Sequence, residues 1–287
     1  MSDEEGLGNG HLALHGVLAK FSWALRSHPG EVRPHNEDYA GAYAPTTPDD
    51  SWDRGPLFVV ADGLGGHAAG EVASRLAVET ALQEWSAGSP AAPRQALRAA
   101  TRAANVAVYD AALEQGRRGM GTTLTVLTLG GREAVIAHVG DSRCYLVRGE
   151  QCTQLTADHS KVGEMLRMRL ITPEQAAGHP ARSMLTRSLG GEPAVQIDLV
   201  DHDVACDDTF ILCSDGLWDC VGRPEMAAVV AAGPSGSAAD PVQAVDALVD
   251  LAVKRGASDN VTAIVLRVTS ERPVPAATGR RSLFRRR

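Results

Sequence analysis

The sequence predicts an α+β fold in which two antiparallel sheets pack together and carry helix pairs on their outer faces. Three observations predict it. The periodic segments run strands, two helices, many strands, two helices, strand, without the strand–helix alternation of a doubly wound parallel sheet. Between Thr122 and Leu155 four successive runs have period two and are joined by tight turns at Gly130-Gly131 and Gly149-Glu150. Two apolar runs, Phe58-Val59-Val60-Ala61 and Phe210-Ile211-Leu212-Cys213, are buried strands that end at Asp62-Gly63 and Ser214-Asp215-Gly216.

Taken in order, Met1 to about His11 is acidic and Gly-rich and reads as disordered, so residues 1–20 form an N-terminal extension. Lys20 to Arg26 is the first strand and Tyr39 to Ala44 the second, separated by a polar turn. Pro45 to Pro56 carries turn formers and Leu57 to Ala61 is a buried strand. Val72, Leu76, Val78, Ala81, Leu82 and Trp85 recur at helical spacing, which predicts a helix from His67 to Trp85; a second follows from Arg94 to Gln115. The four period-two runs are Thr122–Leu129, Ala134–Val139, Arg143–Arg148 and Gln151–Leu155. Residues 160–190 read as an inserted flap whose first part, to Gly178, is helical and polar. Strands are expected at Val195–Val200, Thr209–Cys213 and Val261–Val268, with helices at Arg223–Ala232 and Pro241–Arg255. One folded domain thus spans 21–270, and 271–287 is a Pro-rich linker with a basic tail.

With 44% hydrophobic and 22% charged residues, the 287-residue chain can bury a large core. A net charge of −7 and the lack of a basic, aromatic-rich groove argue against nucleic-acid binding. The five cysteines are odd in number and have no zinc spacing, which points to reduced structural thiols and a cytoplasmic location. No signal peptide is legible, and Leu12–Leu18 is too short to span a bilayer.

The acids carry the chemistry. Glu37 and Asp38 follow Arg33; Asp62 ends one buried strand; Asp141 sits in Gly140-Asp141-Ser142-Arg143; Asp215 and Asp219 bracket Gly216-Leu217-Trp218; Asp259 and Asn260 precede the last strand. Carboxylates at the mouths of several strands repel one another if the strand ends converge, unless a hard cation lies between them. The same residues admit plainer uses: Asp-Gly pairs make turns, and Asp141 and Asp219 can cap turns.

Taken together, Arg33-Pro-His-Asn-Glu37-Asp38, Asp62-Gly-Leu-Gly-Gly-His67, Gly121-Thr122-Thr123, Gly140-Asp141-Ser142-Arg143, Leu185-Thr-Arg-Ser-Leu-Gly190, Ser214-Asp215-Gly-Leu-Trp-Asp219 and Ser258-Asp259-Asn260 resemble, in order, the motifs of the metal-dependent protein phosphatases of the 2C family, bacterial type. The resemblance implies a four-layer α-β-β-α sandwich and hydrolysis of phosphoserine and phosphothreonine in proteins, reversing a partner Ser/Thr kinase. It also implies two Mn²⁺ or Mg²⁺ ions bridged by Asp62 and a water or hydroxide. Glu37, the Gly63 carbonyl, Asp215 and Asp259 would complete the set, Asp38 would hold a water by hydrogen bonding, and Asp141, with or without Asp219, would form a third site. Arg33 offers a forked donor to a phosphate monoester. Where eukaryotic members carry a histidine two residues after the bridging aspartate, this chain has Leu64, which leaves the general acid open. A non-catalytic binding relative and a stress-response regulator phosphatase share the fold. Gly121-Thr122-Thr123 is read as structural packing, Arg143 as half of a structural ion pair, and His159 as fixing the flap. Five of the last eight residues are Arg, which suits weak contact with an anionic membrane or an acidic partner as well as it suits a solvated end.

Overall fold

The computed structural model describes residues 5–7, 11–18, 21–44, 55–65, 68–87, 92–114, 119–130, 133–233 and 238–269. One sheet has the strand order β1 (Glu5–Leu7), β2 (His11–Leu18), β3 (Phe21–His28), β13 (Val261–Val268), β12 (Thr209–Cys213), β9 (Arg143–Arg148), β10 (Gln151–Gln154). The other runs β11 (Asp198–Asp203), β8 (Glu133–Val139), β7 (Leu124–Gly130), β5 (Leu57–Leu64), β4 (Asp38–Tyr43), and the short β6 (Gly121–Thr122) pairs with the end of β5. All of these pairings are antiparallel. Helices α1 (Ala68–Ala87) and α2 (Pro93–Ala112) cover the second sheet; α6 (Arg223–Ala231) and α7 (Pro241–Lys254) cover the first. The flap holds α3 (Lys161–Arg167) and α4 (Pro173–Ala177), and α5 (Asp215–Trp218) is a single turn after β12. The expected four layers are present.

Period-two alternation explains why β5 and β12 are apolar throughout. Phe58 and Val60, with Phe210 and Leu212, fill the core between the sheets. Their neighbours Leu57, Val59 and Ala61 pack under α1 and α2, and Ile211 and Cys213 pack under α6 and α7. A strand covered on both faces has no polar alternation to display. The helices are amphipathic for the complementary reason. In α7 Ala244, Val245, Leu248, Val249 and Ala252 are buried at helical spacing, Pro241 starts the first turn, and the Asp240 side chain accepts from the Val242 N–H.

The same parity aims the site. Asp62 is on the face of β5 that carries Phe58 and Val60, so it points into the open end of the inter-sheet core. Asp38 lies directly across from it in the β4–β5 register and shares the face of Ala40.

Three expectations are corrected at the level of elements. The segment left as an N-terminal extension contains β1 and β2, and β2 extends the first sheet through seven register pairs with β3, with Leu12 and Leu14 packed on the inter-sheet core. Their two-residue spacing was the available signal. The strand expected at Val195–Val200 lies at Asp198–Asp203 instead, because pairing with β8 places Asp198 opposite His138; Val195 and Ile197 pack against the helix layer without being strand. Turn α5 was missed because four residues carry no periodicity. The basic tail, His67 and most of the Pro45–Pro56 loop lie outside the described residues. All five cysteines are free thiols, and no described helix is long and apolar enough to cross a membrane.

Candidate metal centre

Six strand ends meet at one end of the sandwich. The chain leaves β5 and β12 there, enters β4 and β13, and crosses between the sheets from β8 to β9. Backbone bonds weld these ends together. The Gly63 N–H donates to the Glu37 carbonyl at 3.1 Å, the Ser214 N–H to Thr262 at 3.1 Å and the Thr123 N–H to Asp62 at 2.9 Å. The result is a cavity of about 230 Å³ lined by Arg33, Glu37, Asp62, Gly63, Asp141, Asp215 and Asp259. Besides Asp219, which lies further out, the one sequence-predicted site residue not in that lining is Asp38. It is buried directly behind, where its Oδ2 accepts from Ser214 Oγ at 2.7 Å.

Several residues that hold this arrangement were given no such holding role from the sequence. Asn260 is the central one. Its Oδ1 accepts from the Glu37 N–H at 2.8 Å, and its Nδ2 donates to the carbonyls of Pro29 and His35, both at 2.9 Å. One side chain thereby ties the entrance of β13 to the loop that carries Arg33 and Glu37. Ser214 links the two sheets in the same way, donating to Asp38 and accepting from the Thr262 N–H at 3.0 Å. Thr122 and Thr123, read as packing residues, also fasten Asp62. The Thr122 hydroxyl donates to the Asp62 carbonyl at 2.8 Å, and the Asp62 N–H donates to Thr123 Oγ1 at 2.9 Å. For Ser214 and Asn260 the available signal was a polar residue abutting an apolar strand, next in sequence to Asp215 and Asp259.

Electrostatics mark the cavity as a site for positive charge. Desolvation, first, pushes the Asp62 carboxyl well above the ordinary aspartate range, and the charges of Asp215, Asp38, Asp141 and Asp259 push it further. Asp215 is raised for the same reasons, burial before the repulsion of Asp141 and Asp259. Both residues keep some surface at the cavity floor, but protein encloses their carboxylates on most sides. Burial carries Asp38 and Asp141 each up to about 7, with hydrogen bonds opposing the rise at Asp38 and Arg143 opposing it at Asp141.

The side chains are not already gathered into a cage: among the described residues no three Asp, Glu, His or Cys groups form one. Two carboxylates are engaged elsewhere, Asp259 with Arg33 at 2.7 Å and Asp38 with Ser214. The donor set nonetheless fits hard divalent cations. It is entirely oxygen, Asp215 Oδ1 is buried without a hydrogen-bond partner, and Gly70 leaves a space that any Cβ would close, 2.6 Å from Glu37 Oε2.

Around the rim, Arg143 makes a bidentate pair with Asp158 at 2.6 and 3.0 Å and lies 3.5 Å over the Trp218 ring; Trp218 Nε1 in turn donates to the Asp141 carbonyl at 3.1 Å. Asp219 lies outside the inner cavity and pairs with Arg182 of the flap at 3.2 Å. His179 Nδ1 accepts from the Ala181 N–H at 3.1 Å and lines neither cavity of the cleft. His138 is buried, with Nδ1 at 3.0 Å from Thr125 Oγ1 and Nε2 without a partner, so it is only half satisfied.

A model of the family described as protein phosphatase 2C matches residues 36–251. The chain belongs to the protein phosphatase 2C family. A serine/threonine phosphatase, stp, of Listeria innocua is 34% identical over 247 residues, which is 84% of this chain and 94% of that one. The structure of serine/threonine phosphatase Stp1 from Staphylococcus aureus superposes with a TM-score of 0.77 at 29% identity, covering 93% of this chain and all 100% of that one. The catalytic domain of the serine/threonine phosphatase PstP, solved with two manganese ions, gives a TM-score of 0.74 at 33% identity and covers 88% of this chain and 99% of that one. Membership in the family accounts for the motif order and for the sandwich.

Proposed function

We propose that this 2C-family chain is a metal-dependent protein-serine/threonine phosphatase that hydrolyses phosphoserine and phosphothreonine in proteins. The observation that carries the reading is one cavity in which Glu37, Asp62, Asp141, Asp215 and Asp259 meet beside Arg33. Glu37, Asp62, the Gly63 carbonyl, Asp215 and Asp259 are the residues that would hold two Mn²⁺ or Mg²⁺ ions, and Asp141 is the residue for a third. When bound, such cations would lower the pKa of a coordinated water and neutralise charge on the phosphoryl oxygens.

The protein's own groups do the rest. Arg33, half exposed at the rim, presents its guanidinium to the phosphate monoester. Its pair with Asp259 is exposed and hence worth only ~0–1 kcal/mol, so redirecting it to a phosphate costs little. Asp38, held in place by Ser214, would orient the attacking water as a hydrogen-bond acceptor. Leucine at position 64 has no proton to give the leaving alkoxide, so that proton would have to come from a water or another acid at the cavity. Chemistry of this kind uses no covalent enzyme intermediate. Substrates in this reading are phosphoproteins made by a partner Ser/Thr kinase. The free thiols support a reducing, cytoplasmic setting.

The test is a phosphothreonine-peptide assay with Mn²⁺ and with excess EDTA. Release of phosphate only with the metal is the expected result, and hydrolysis that persists in EDTA would overturn the mechanism. Arg33→Ala should raise KM by about tenfold to a hundredfold, the loss of one charge-assisted hydrogen bond, with a much smaller effect on kcat. A KM equal to that of the wild type would remove Arg33 from the substrate site.

A further inference from the structure

The flap leaves and re-enters the body of the protein through one narrow neck. At that neck the Lys161 N–H donates to Met184 O at 2.8 Å, the Thr186 N–H donates to His159 O at 2.8 Å, and Ser160 and Leu185 form an isolated β-bridge. Side chains from three segments close around it. His159 is buried, and its Nδ1 accepts from the Gly140 N–H at 3.1 Å while its own N–H donates to Gly140 O at 2.7 Å. Burial holds the His159 pKa below its ordinary value, so the ring is neutral and its single proton sits on Nε2. Nε2 directs that proton at Asp198 Oδ2, 3.1 Å from the nitrogen, Arg187 Nη1 packs 3.2 Å from the same nitrogen, and the other oxygen of Asp198 accepts from Arg187 at 2.8 Å. Asp198 itself is fixed by the β11–β8 register.

The chain of contacts therefore runs from an edge strand, through the flap's exit and entry, to Gly140, the residue before Asp141. What it steadies is the wall of a second cavity. Flap residues Val162, Leu166 and Ala176 line an outer space of about 770 Å³ that shares Arg33, Asp141, Asp215 and Asp259 with the inner cavity of about 230 Å³. A small phosphate ester needs the inner space alone, whereas the residues flanking a phosphothreonine must occupy the outer one. Past the neck, Met168 and Leu170 are exposed, and the Arg182–Asp219 pair is open to solvent screening.

We propose that Asp198, His159 and Arg187 form a latch that sets the flap over the cleft, so that Arg187 and Asp198 are positioning residues for peptide and protein substrates and not for small esters. The inference rests on the phosphatase reading above. The experiment compares Arg187→Ala, Asp198→Asn and Arg187→Lys with the wild type on p-nitrophenyl phosphate and on a ten-residue phosphothreonine peptide, together with amide hydrogen exchange. For the first two variants the peptide KM should rise about tenfold, with kcat and all p-nitrophenyl phosphate constants within twofold; Arg187→Lys should recover part of the loss. A merely structural role would lower the folded fraction and cut kcat on both substrates in equal proportion. Exchange at the Lys161 and Thr186 amides should quicken about tenfold while β12 and β13 stay unchanged. An unaltered ratio of the two KM values, or exchange that is unchanged or uniformly faster, overturns the latch. A wild-type protein inactive on both esters would sink the phosphatase reading instead, and the exchange result alone would then decide the latch.

Discussion

Replacing Asp62 or Asp215 by Asn should abolish Mn²⁺-dependent hydrolysis and, in the same protein, raise the stability of the fold. The two effects have one cause. Each carboxylate sits where burial and like charge oppose ionisation, so each is a cost to the fold that only a cation offsets. The amide keeps the shape and removes the charge. We expect a loss in kcat of ~10²–10³-fold or more, the scale of losing an electrostatic group that acts on the transition state, and a gain of ~0.5–2 kcal/mol in unfolding free energy. Urea titrations in EDTA beside the kinetic assay check both; a variant that lost stability along with activity would show that the carboxylate holds the structure together.

A pH dependence follows from the same carboxyls. Asp38 and Asp141 hold their protons up to about 7 in the fold, whereas an unfolded aspartate has a pKa of about 3.9. Between those values the folded state binds protons that the unfolded chain has released, so their contribution to stability is full below about pH 4, declines as pH rises, and levels off above about 7. In EDTA the wild type should therefore lose stability from pH 5 to pH 8 relative to Asp38→Asn or Asp141→Asn. Excess Mn²⁺ should reverse the trend, because cations bind the ionised form.

Gly63→Ala should be among the most damaging single methyl groups in the site. A Cβ there would stand 2.2 Å from the Gly70 carbonyl oxygen and 2.5 Å from that of Glu37. Both neighbours are backbone, so neither can swing aside, and the end of β5 must part from α1 and from the Glu37 carbonyl that now accepts the Gly63 N–H. The cost should reach ~3 kcal/mol, the upper part of the overpacking range, with Mn²⁺ affinity lost as well. Gly178→Ala, where a Cβ meets nothing within 4 Å, is the control and should stay within about 0.5 kcal/mol. Equal denaturation midpoints for the two variants would show that the β5–α1 junction yields more readily than its geometry implies.

Most of the fold was legible because its signals are local. Buried strands such as β5 and β12 announce themselves by unbroken apolar runs, and α7 by helical spacing and a capping Asp. Where local signals were thin, sequence reading failed. β2 alternates apolar and small residues too weakly to stand out until β3 offers it a partner, and β11 is a charged edge strand defined by its register with β8. For the site, the acids were legible as residues that end strands. Their supports were not: Asn260 and Ser214 resemble ordinary turn and strand-end residues until their hydrogen bonds to Glu37, Asp38 and the Arg33 loop are seen.

Sequence alone determined which side chains could meet a cation, and which residues of a strand would share a face, because residue type and two-residue parity are properties of the chain itself. Tertiary structure decided the rest. It brought six strand ends from two sheets to one cavity, paired Arg33 with Asp259 and joined the flap's neck to Gly140. Those contacts join positions as far apart as 226 residues, and no local pattern encodes them; they exist only once antiparallel pairing has set the register of both sheets.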